Sequence, residues 1–364
     1  MASKYIQLAD ALRKEIPQYT QSGNHRLPTE MELMKKYSVS RQTVRQALSL
    51  LLSEGLIEKR QGSGTFIAQT AAASLSSRKL AILTSLAGER IFPSALWEIQ
   101  STFSAAGYQS QFFSTGNRTG LEREILQTLL EHPVRGILVK GTRTAYPNPN
   151  IDLYRQLQKN GTKLLFIEST YPELSDVPCV RTDDYAGGYL LAQYLIKQGH
   201  TKIAGIFRSD ELCSHERFRG MISAIRDHAL PFDDRHILWY DPLWPGSIIG
   251  SPDPELMRTF IHMQLAGCTA VICQNGEVAD FLIRGLLRLE ISVPHQISVV
   301  GFGSSHSGFL HPVPITSVAT KNSALWTSVA QGLLQLVEDK PFTPPLYPWT
   351  LIERDSVRKL SPDA

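Results

Sequence analysis

The hydrophobic positions of the chain follow two different patterns, which divide it into two regions. In the first 70 residues they recur every three or four positions, as expected for amphipathic helices. The first helix has its apolar positions at Tyr5, Leu8, Ala9, Leu12 and Ile16, and Pro17 follows them. From Lys79 onward, short apolar runs alternate with amphipathic stretches. This alternation is typical of strands and helices that build a parallel sheet.

Two further helices are predicted in the first region, and each begins at a recognisable cap. Thr29, with Glu32 three positions later, forms a capping-box pattern. Ser40 is a favourable N-cap for a helix over residues 41–52, and Gly55 is a favourable residue after its end. Two helices joined by a short turn form a helix-turn-helix candidate.

The first turns of the third helix carry polar side chains that lie off its apolar stripe. These are Arg41, Gln42, Thr43 and Arg45. Arginine can bond guanine as a fork or clamp a phosphate, and threonine and glutamine can bond base edges or phosphate. A helix N-terminus itself attracts phosphate. We therefore expect this helix to lie on DNA, and a solvated helix face is the alternative.

Residues 56–67 read as two short strands around Gln61-Gly62-Ser63-Gly64. A hairpin with basic flanks after a recognition helix is a wing, and its glycine-rich tip is narrow enough for the minor groove. A phosphate-binding loop is the competing interpretation, but the segment lacks the GK[ST] ending.

The distribution of charge along the chain supports binding of the first region to DNA. Residues 1–70 contain ten Lys and Arg against six Asp and Glu, so the remaining residues hold 27 (37 − 10) against 28 (34 − 6).

The second region predicts an α/β body with two lobes. Strands are expected at 80–85, 136–140, 163–169, 202–207, 269–273 and 297–302, and helices at 119–131, 185–198, 214–229 and 276–289. Two such βαβ units in series would give two lobes with a cleft between them. Ligands of open α/β sheets bind at the carboxyl ends of strands. The candidate residues there are Lys140, Asp183, Arg208, Asn275 and the loop 303–306.

Nothing in the sequence indicates catalysis, a metal site or a cofactor. His215-Glu216-Arg217-Phe218-Arg219 fails as HExxH, and neither GxSxG nor GxGxxG is present. The four cysteines form no CxxC pair, which favours reduced thiols. The N-terminus lacks the apolar core of a signal peptide, and no apolar run is long enough for a membrane span. These features predict a cytoplasmic protein that is not an enzyme.

The first region closely resembles the GntR-type winged helix. The resemblance rests on Leu27-Pro28-Thr29-Glu30, Val39-Ser40-Arg41-Gln42-Thr43-Val44-Arg45-Gln46-Ala47-Leu48, Gly55-Leu56-Ile57 and Gln61-Gly62-Ser63-Gly64-Thr65-Phe66. It implies DNA contacts from the recognition helix, the wing and the start of the second helix. The predicted DNA-binding residues are Glu30, Ser40, Arg41, Gln42, Thr43, Arg45, Gln61 and Gly62. Some members have Arg where this chain has Met31, so that contact is not expected.

The body resembles the LacI-type effector domain, which has the periplasmic-binding-protein fold. The carrying segments include 181–188, 195–204, 216–220, 271–275, 299–302 and 314–318. The resemblance implies that Asp183, Arg217 and Asn275 bind sugar hydroxyls. Planar, two-pronged side chains suit paired hydroxyls. The alternative is that Asp183 and Arg217 form a structural ion pair across the cleft.

Two positions depart from the family pattern. Gly303 stands where an Asp usually binds sugar, and Lys140 stands where Glu is expected in the arabinose-repressor group. Both changes shift the charge of the cleft toward positive values, so an anionic sugar such as a phosphate or uronate is one possible effector, with Lys140 as a binding residue. The alternative is that Lys140 points to solvent and the pocket is simply weaker.

A GntR-type head on a LacI-type body is the arrangement of the bacterial arabinose repressors. It implies a winged helix at 1–69, a linker at 70–78 and an effector-binding, dimerising body at 79–364. We expect a homodimeric repressor of carbohydrate-utilisation genes that binds a palindromic double-stranded operator and is released by a small sugar. An enzyme body with a pyridoxal cofactor and a periplasmic solute-binding protein are the alternatives. The sequence names neither the effector nor the operator.

Overall fold

The computed structural model describes residues 3–21, 25–60, 63–68, 77–85, 92–243, 255–303, 313–320 and 322–360. The first of its two regions is a small winged helix. Its elements are α1 (Lys4–Gln21), α2 (Glu30–Tyr37), α3 (Arg41–Ser53), β1 (Ile57–Arg60) and β2 (Gly64–Ile67). The apolar positions predicted for the first helix, Tyr5 apart, are buried. That helix does not stop at Pro17 but continues to Gln21.

Both predicted helix caps are present in this region. The Thr29 side chain accepts from the backbone N–H of Glu32, and the Glu32 carboxylate accepts from the backbone N–H of Thr29. The Ser40 side chain accepts from the backbone N–H of Thr43. Gly55, just past α3, has a φ of 69°, a conformation that glycine adopts without strain. The caps fix where α3 begins and therefore which side chains stand at its N-terminus.

The body contains two sheets with helices on both faces. Its elements are β3 (Lys79–Thr84), α4 (Phe92–Ala105), β4 (Gln109–Ser114), α5 (Thr119–Glu131), β5 (Gly136–Val139), α6 (Ile151–Lys159), β6 (Lys163–Ile167), β7 (Cys179–Thr182), α7 (Asp184–Lys197), β8 (Ile203–Arg208), α8 (Leu212–Asp227), β9 (Ile237–Tyr240), α9 (Glu255–Thr259), β10 (Ala270–Cys273), α10 (Gly276–Arg288), β11 (Ser298–Phe302), β12 (Thr316–Ala319), α11 (Asn322–Val337), β13 (Leu346–Tyr347) and β14 (Thr350–Ile352).

Each sheet forms the centre of one lobe. Lobe 1 has the strand order β13-β7-β6-β5-β3-β4, and lobe 2 has the order β14-β12-β11-β10-β8-β9. The strands pair in parallel, except that β12 and β14 are antiparallel. This confirms the α/β class with two parallel-sheet lobes. All six predicted strands are present, whereas β4, β7, β9, β12, β13 and β14 were not predicted.

The expectation that the two lobes follow one another in the chain is wrong. After the last strand of lobe 2's parallel set, α11 returns to lobe 1, where Leu325, Val329 and Leu333 join the core around β3. β13 then extends the lobe 1 sheet, and β14 extends the lobe 2 sheet. The chain therefore crosses between the lobes three times, because each sheet is completed only by segments near the C-terminus.

The boundaries of the predicted linker remain a prediction. Most of residues 70–78 lie outside the described residues, which resume at 77. In the part of the chain that is described, no helix combines the length and the apolar character needed to cross a bilayer.

Candidate DNA-binding surface and effector cleft

The recognition helix presents one polar face to solvent. Arg41, Gln42, Arg45, Gln46 and Ser49 line a shallow groove of about 360 Å³ along α3. The opposite face is buried, with Val44, Ala47, Leu48 and Leu51 inside the core of the winged helix. The structure therefore brings together three of the predicted DNA-binding side chains, Arg41, Gln42 and Arg45, on one accessible surface.

Glu30 connects the second helix to this surface. Its carboxylate lies 3.1 Å from Nε of Arg41 and 3.5 Å from Nε of Arg45. The hydrogen bond from Arg41 is the main cause that lowers the pKa of Glu30. Both arginine side chains remain more than 60% exposed, at 69% and 65%. Glu30 therefore holds both guanidinium groups over the groove without covering them.

Ser40 and Thr43 form a compact pair at the N-terminus of α3. Their hydroxyl oxygens are 2.9 Å apart, and the backbone N–H of Thr43 donates to Ser40 Oγ at 3.2 Å. The cap leaves the helix N-terminus facing outward beside the exposed Gln42. An anionic group is favoured at such an N-terminus.

The predicted wing residues Gln61 and Gly62 lie outside the described residues. Two arginines that the sequence argument did not single out contact the adjoining strands: Arg60, on β1, and Arg26, which precedes α2. Arg60 stacks over the Phe66 ring at 4.7 Å. Arg26 forms an isolated bridge with Phe66, so it adds a short third segment to the hairpin. The signal for Arg26 was weak, because pairing between residues 26 and 66 depends on long-range contact.

A cleft of about 270 Å³ opens between the lobes at the carboxyl ends of their strands. Lobe 1 contributes Glu168, Ser169, Thr170, Cys179, Arg181, Thr182 and Leu346, and lobe 2 contributes Asp183, Asp184, Tyr185, Leu212, Cys213 and Glu216. Of the predicted effector residues, Asp183 lines this cleft directly. Arg217 and Lys140 pair with two carboxylates that line it, Asp184 and Glu168 respectively.

Asp183 and its neighbour Asp184 have different roles. Asp183 caps α7, with Oδ1 accepting from the backbone N–H of Ala186 at 3.0 Å. Asp184 is buried, and its Oδ1 accepts from Nε of Arg217 at 2.8 Å. The ion pair considered from the sequence, Asp183 with Arg217 across the cleft, is therefore not the one observed: Arg217 pairs with Asp184, and both residues belong to lobe 2. Successive helical residues point about 100° apart, so only one of the two can face the core.

Two glycines allow the helices that carry this pair to touch. A Cβ atom at Gly188 would lie 1.9 Å from the carbonyl oxygen of Arg217, and one at Gly220 would lie 2.0 Å from that of Tyr185. Any side chain at either position would push α7 and α8 apart. The close approach brings Arg217 within reach of Asp184.

Arg217 is held on several sides. Besides Asp184, its Nη1 donates to the backbone oxygen of Gln274 at 2.7 Å, and its guanidinium lies 4.3 Å from the Phe302 ring centre and 5.5 Å from that of Trp349. Burial raises the pKa of Asp184, and the neighbouring guanidinium opposes that shift. The pair and the aromatic contacts fix the orientation of the guanidinium group beneath the cleft.

Asn275 caps the next helix in lobe 2. Its Oδ1 accepts from the backbone N–H of Val278 at 2.9 Å, which anchors the start of α10. It follows Gln274, whose backbone oxygen binds Arg217. Asn275 and Arg217 are therefore close together in lobe 2, although Asn275 does not line the described cleft.

Lys140 does not point to solvent. Its side chain is 10% exposed, and Nζ lies 3.2 Å from Oε1 of Glu168, which lines the cleft. The alternative in which Lys140 faces water is therefore wrong. Arg208, another residue at a strand end, is also buried and paired with Asp210 and Glu211. Gly303 follows β11 and has a φ of 82°, and residues 304–306 lie outside the described part.

Comparisons with known proteins agree with these two regions. Residues 4–67 match the family model described as bacterial regulatory proteins, gntR family, and residues 192–357 match the periplasmic binding protein-like domain. The chain is 31% identical to the arabinose metabolism transcriptional repressor of Geobacillus stearothermophilus over 93% of this chain and 92% of the relative. The chain belongs to this repressor family. It is also 30% identical to the protein of that name from Halalkalibacterium halodurans, over 93% and 91% of the two chains.

Solved structures share the fold of the body. A periplasmic binding protein/LacI transcriptional regulator from Alkaliphilus metalliredigens QYMF, complexed with D-xylulofuranose, has a TM-score of 0.65 at 18% identity and covers 77% of this chain and 99% of its own. The transcriptional regulator CelR in complex with cellobiose has a TM-score of 0.65 at 20% identity, over 87% and 91%.

Membership in the arabinose-repressor family confirms the resemblance drawn from the sequence. The chain is a DNA-binding transcription regulator with a GntR-type head and a LacI-type body, and the relatives named above are regulators rather than enzymes. The sequence argument missed Asp184, Glu168 and Cys213 in the cleft. Asp184 had a signal, since it follows Asp183 at the start of a predicted helix. Glu168 is the penultimate residue of the predicted strand 163–169, which placed it at the correct edge of the sheet.

Proposed function

We propose that this regulator represses carbohydrate-utilisation genes as a cytoplasmic homodimer and is released from a palindromic operator by a neutral sugar. The named relatives are repressors of arabinose metabolism, so L-arabinose is the first effector to test. The observation that carries the proposal is the pairing of Lys140 with Glu168 at 3.2 Å. This ion pair removes the positive charge that had favoured an anionic effector.

The composition of the cleft supports a neutral polyol over a phosphate or uronate. Its lining includes four carboxylates, from Glu168, Asp183, Asp184 and Glu216, and one guanidinium, from Arg181. Lys140 pairs with Glu168, Arg217 with Asp184 and Arg219 with Glu216, so an anion placed there would meet no excess of positive charge. Sugar hydroxyls, in contrast, can donate to carboxylates. In this proposal Asp183, Arg217 and Asn275 bind the sugar, and Lys140 orients Glu168.

The proposed mechanism couples the cleft to the DNA-binding heads. The sugar draws the lobes together, which changes the relation between the two subunits and moves the heads out of register with their half-sites. Linkage requires that DNA weakens sugar binding by the same factor as sugar weakens DNA binding. The proposed DNA contacts come from Glu30, Ser40, Arg41, Gln42, Thr43, Arg45, Gln61 and Gly62.

Calorimetric titration of the full chain with L-arabinose, other neutral pentoses and hexoses, sugar phosphates and uronates tests the effector class. We expect binding by a neutral sugar and none by the anionic sugars. That sugar should also weaken operator binding in a fluorescence-anisotropy assay. Binding confined to anionic sugars would refute the neutral effector, and stronger operator binding with sugar would refute release.

The DNA-binding surface is tested by comparing R45A with R235A. Arg45 lies on the groove of α3, whereas Arg235 is an exposed arginine in lobe 2, so both variants lose one positive charge. We expect R45A to weaken operator binding by about 1–3 kcal/mol if Arg45 contacts a base. R235A should bind as the wild type does. Equal losses would show that overall charge, rather than the α3 surface, determines the affinity.

A further inference from the structure

We propose that two contacts between the lobes form a latch, and that this latch sets effector affinity from outside the sugar-binding residues. One contact joins Asn117 to Asp210, and the other joins Arg143 to Asp241. Asn117 and Arg143 belong to lobe 1, and both aspartates belong to lobe 2. The inference rests on the proposed sugar-responsive function, because it concerns how the same cleft closes.

The first contact is completely buried. Nδ2 of Asn117 donates to Oδ2 of Asp210 at 2.6 Å, and both residues are 0% exposed. The backbone oxygen of Asp210 also accepts from the N–H of Ala145 at 3.1 Å. Within lobe 2, Nε of Arg208 donates to Oδ1 of Asp210 at 2.7 Å. Asp210 therefore ties two separate segments of lobe 1 to the end of β8.

The second contact is a two-pronged ion pair. The Nη1 and Nη2 atoms of Arg143 donate to Oδ1 and Oδ2 of Asp241 at 3.4 and 2.6 Å. The Asp241 side chain is only 4% exposed, and that of Arg143 is 22% exposed. A paired fork of this kind fixes orientation as well as distance. Separating the lobes would leave the Asp241 carboxylate without its partner on lobe 1.

Contacts within lobe 1 hold its side of the latch in place. Tyr171 accepts at its hydroxyl oxygen from the backbone N–H of Thr142 at 2.8 Å and donates to Glu122 at 2.9 Å. Asn117 and Arg143 both have positive φ values, 61° and 51°. Such backbone conformations are unfavourable for residues other than glycine and persist where surrounding contacts enforce them.

The latch adjoins the helix that carries the cleft residues of lobe 2. The backbone N–H of Leu212, the first residue of α8, donates to Thr144 Oγ1 at 3.0 Å across the lobe boundary. The same helix presents Cys213 and Glu216 to the cleft and places Arg217 beneath it. Asn117, Arg143, Asp210 and Asp241 are therefore positioning residues: they hold α8 against lobe 1, where Glu168 stands.

Removing the latch should lower the fraction of closed molecules and raise the apparent Kd in proportion. The test compares R143M with R155M in the full chain. Arg155 forms a similar two-pronged pair with Asp176, at 2.6 and 2.8 Å, but both of those residues lie in lobe 1. We expect R143M to weaken L-arabinose binding roughly tenfold by calorimetry, and R155M to stay within about twofold. D241N, which breaks the same pair from lobe 2, should reproduce the R143M result.

A second measurement needs no sugar. The N–H groups of Ala145 and Leu212 donate across the lobe boundary, so opening of the latch exposes them to solvent. We expect hydrogen–deuterium exchange at both amides to be several-fold faster in R143M than in the wild type and in R155M. Unchanged exchange in R143M and D241N, or equal effects of R143M and R155M, would overturn the latch. If the wild type binds no sugar, the proposed effector fails while the exchange result still decides on the latch.

Discussion

Replacing Arg217 separates its structural role from its role toward the effector. The Asp184 side chain is 5% exposed, and its Oδ1 lies 2.8 Å from Nε of Arg217. R217M would leave that carboxylate buried without a cation, and breaking a buried pair from one side costs about 3–5 kcal/mol. The double variant R217M/D184N removes both charges and keeps an amide that can accept from Thr182. We expect it to recover all but about 1–2 kcal/mol of the stability.

Urea unfolding at pH 7, followed by circular dichroism, measures these differences. R226M is the matched control, because Arg226 lies on the same helix, has a side chain that is 69% exposed and pairs with its neighbour Asp227. Its effect should stay below about 1 kcal/mol. A loss below 1 kcal/mol in R217M as well would refute the argument that the pair is buried and tightly coupled.

The same double variant, compared with D184N, decides whether Arg217 binds the sugar, because Asp184 itself lines the cleft. If the guanidinium contacts the effector, R217M/D184N should be stable and yet bind L-arabinose at least tenfold more weakly in calorimetry. Wild-type affinity in the double variant would show that Arg217 serves only the fold. The proposed effector contact would then be wrong, although the stability argument would stand.

Three further predictions follow from local geometry. Burial lowers the pKa of His200 to about 4, so its contribution to the free energy of unfolding should be fully present above about pH 6.5 and be lost between pH 6.5 and 4, by at most roughly 3 kcal/mol. H200Q should flatten this pH dependence in urea unfolding, and an unchanged slope would contradict the prediction. E30A should release Arg41 and Arg45 from their ion pairs with Glu30 and lower the ratio of operator affinity to random-DNA affinity, measured at one salt concentration. A higher ratio would contradict this prediction. S40A should destabilise the head by about 1 kcal/mol in thermal unfolding, and no change would argue against the cap.

Features that depend on local chemistry were predictable from the sequence. Thr29 with Glu32 and the Ser40 cap are formed by residues three positions apart, so the sequence alone located the start of α2 and α3. The central strands were also clear, because both of their faces are buried and their residues are uniformly apolar. By contrast β4, Gln109–Ser114, is an edge strand with exposed positions, and its polar residues concealed it.

Features that depend on distant contacts were not predictable. The partner of Lys140 is Glu168, 28 positions later, and no spacing rule connects two residues at the ends of neighbouring strands. The choice between Asp183 and Asp184 as the partner of Arg217 required the rotation of α7, which depends on where its cap lies. The interleaved lobes required pairings between β13 and β7 and between β14 and β12.

The three crossings between the lobes also determine the order in which a newly made chain can fold. The head is complete once residue 68 has left the ribosome, so it can fold while the body is still being synthesised. Neither lobe can complete its sheet at that stage. Lobe 1 is incomplete until α11 and β13 have been synthesised. Lobe 2 is incomplete until β14 and Ser356 have been synthesised, and the Ser356 hydroxyl donates to the backbone oxygen of Val299. A product that ends before β13, at about residue 345, would therefore carry a folded DNA-binding head and an incomplete sheet in both lobes.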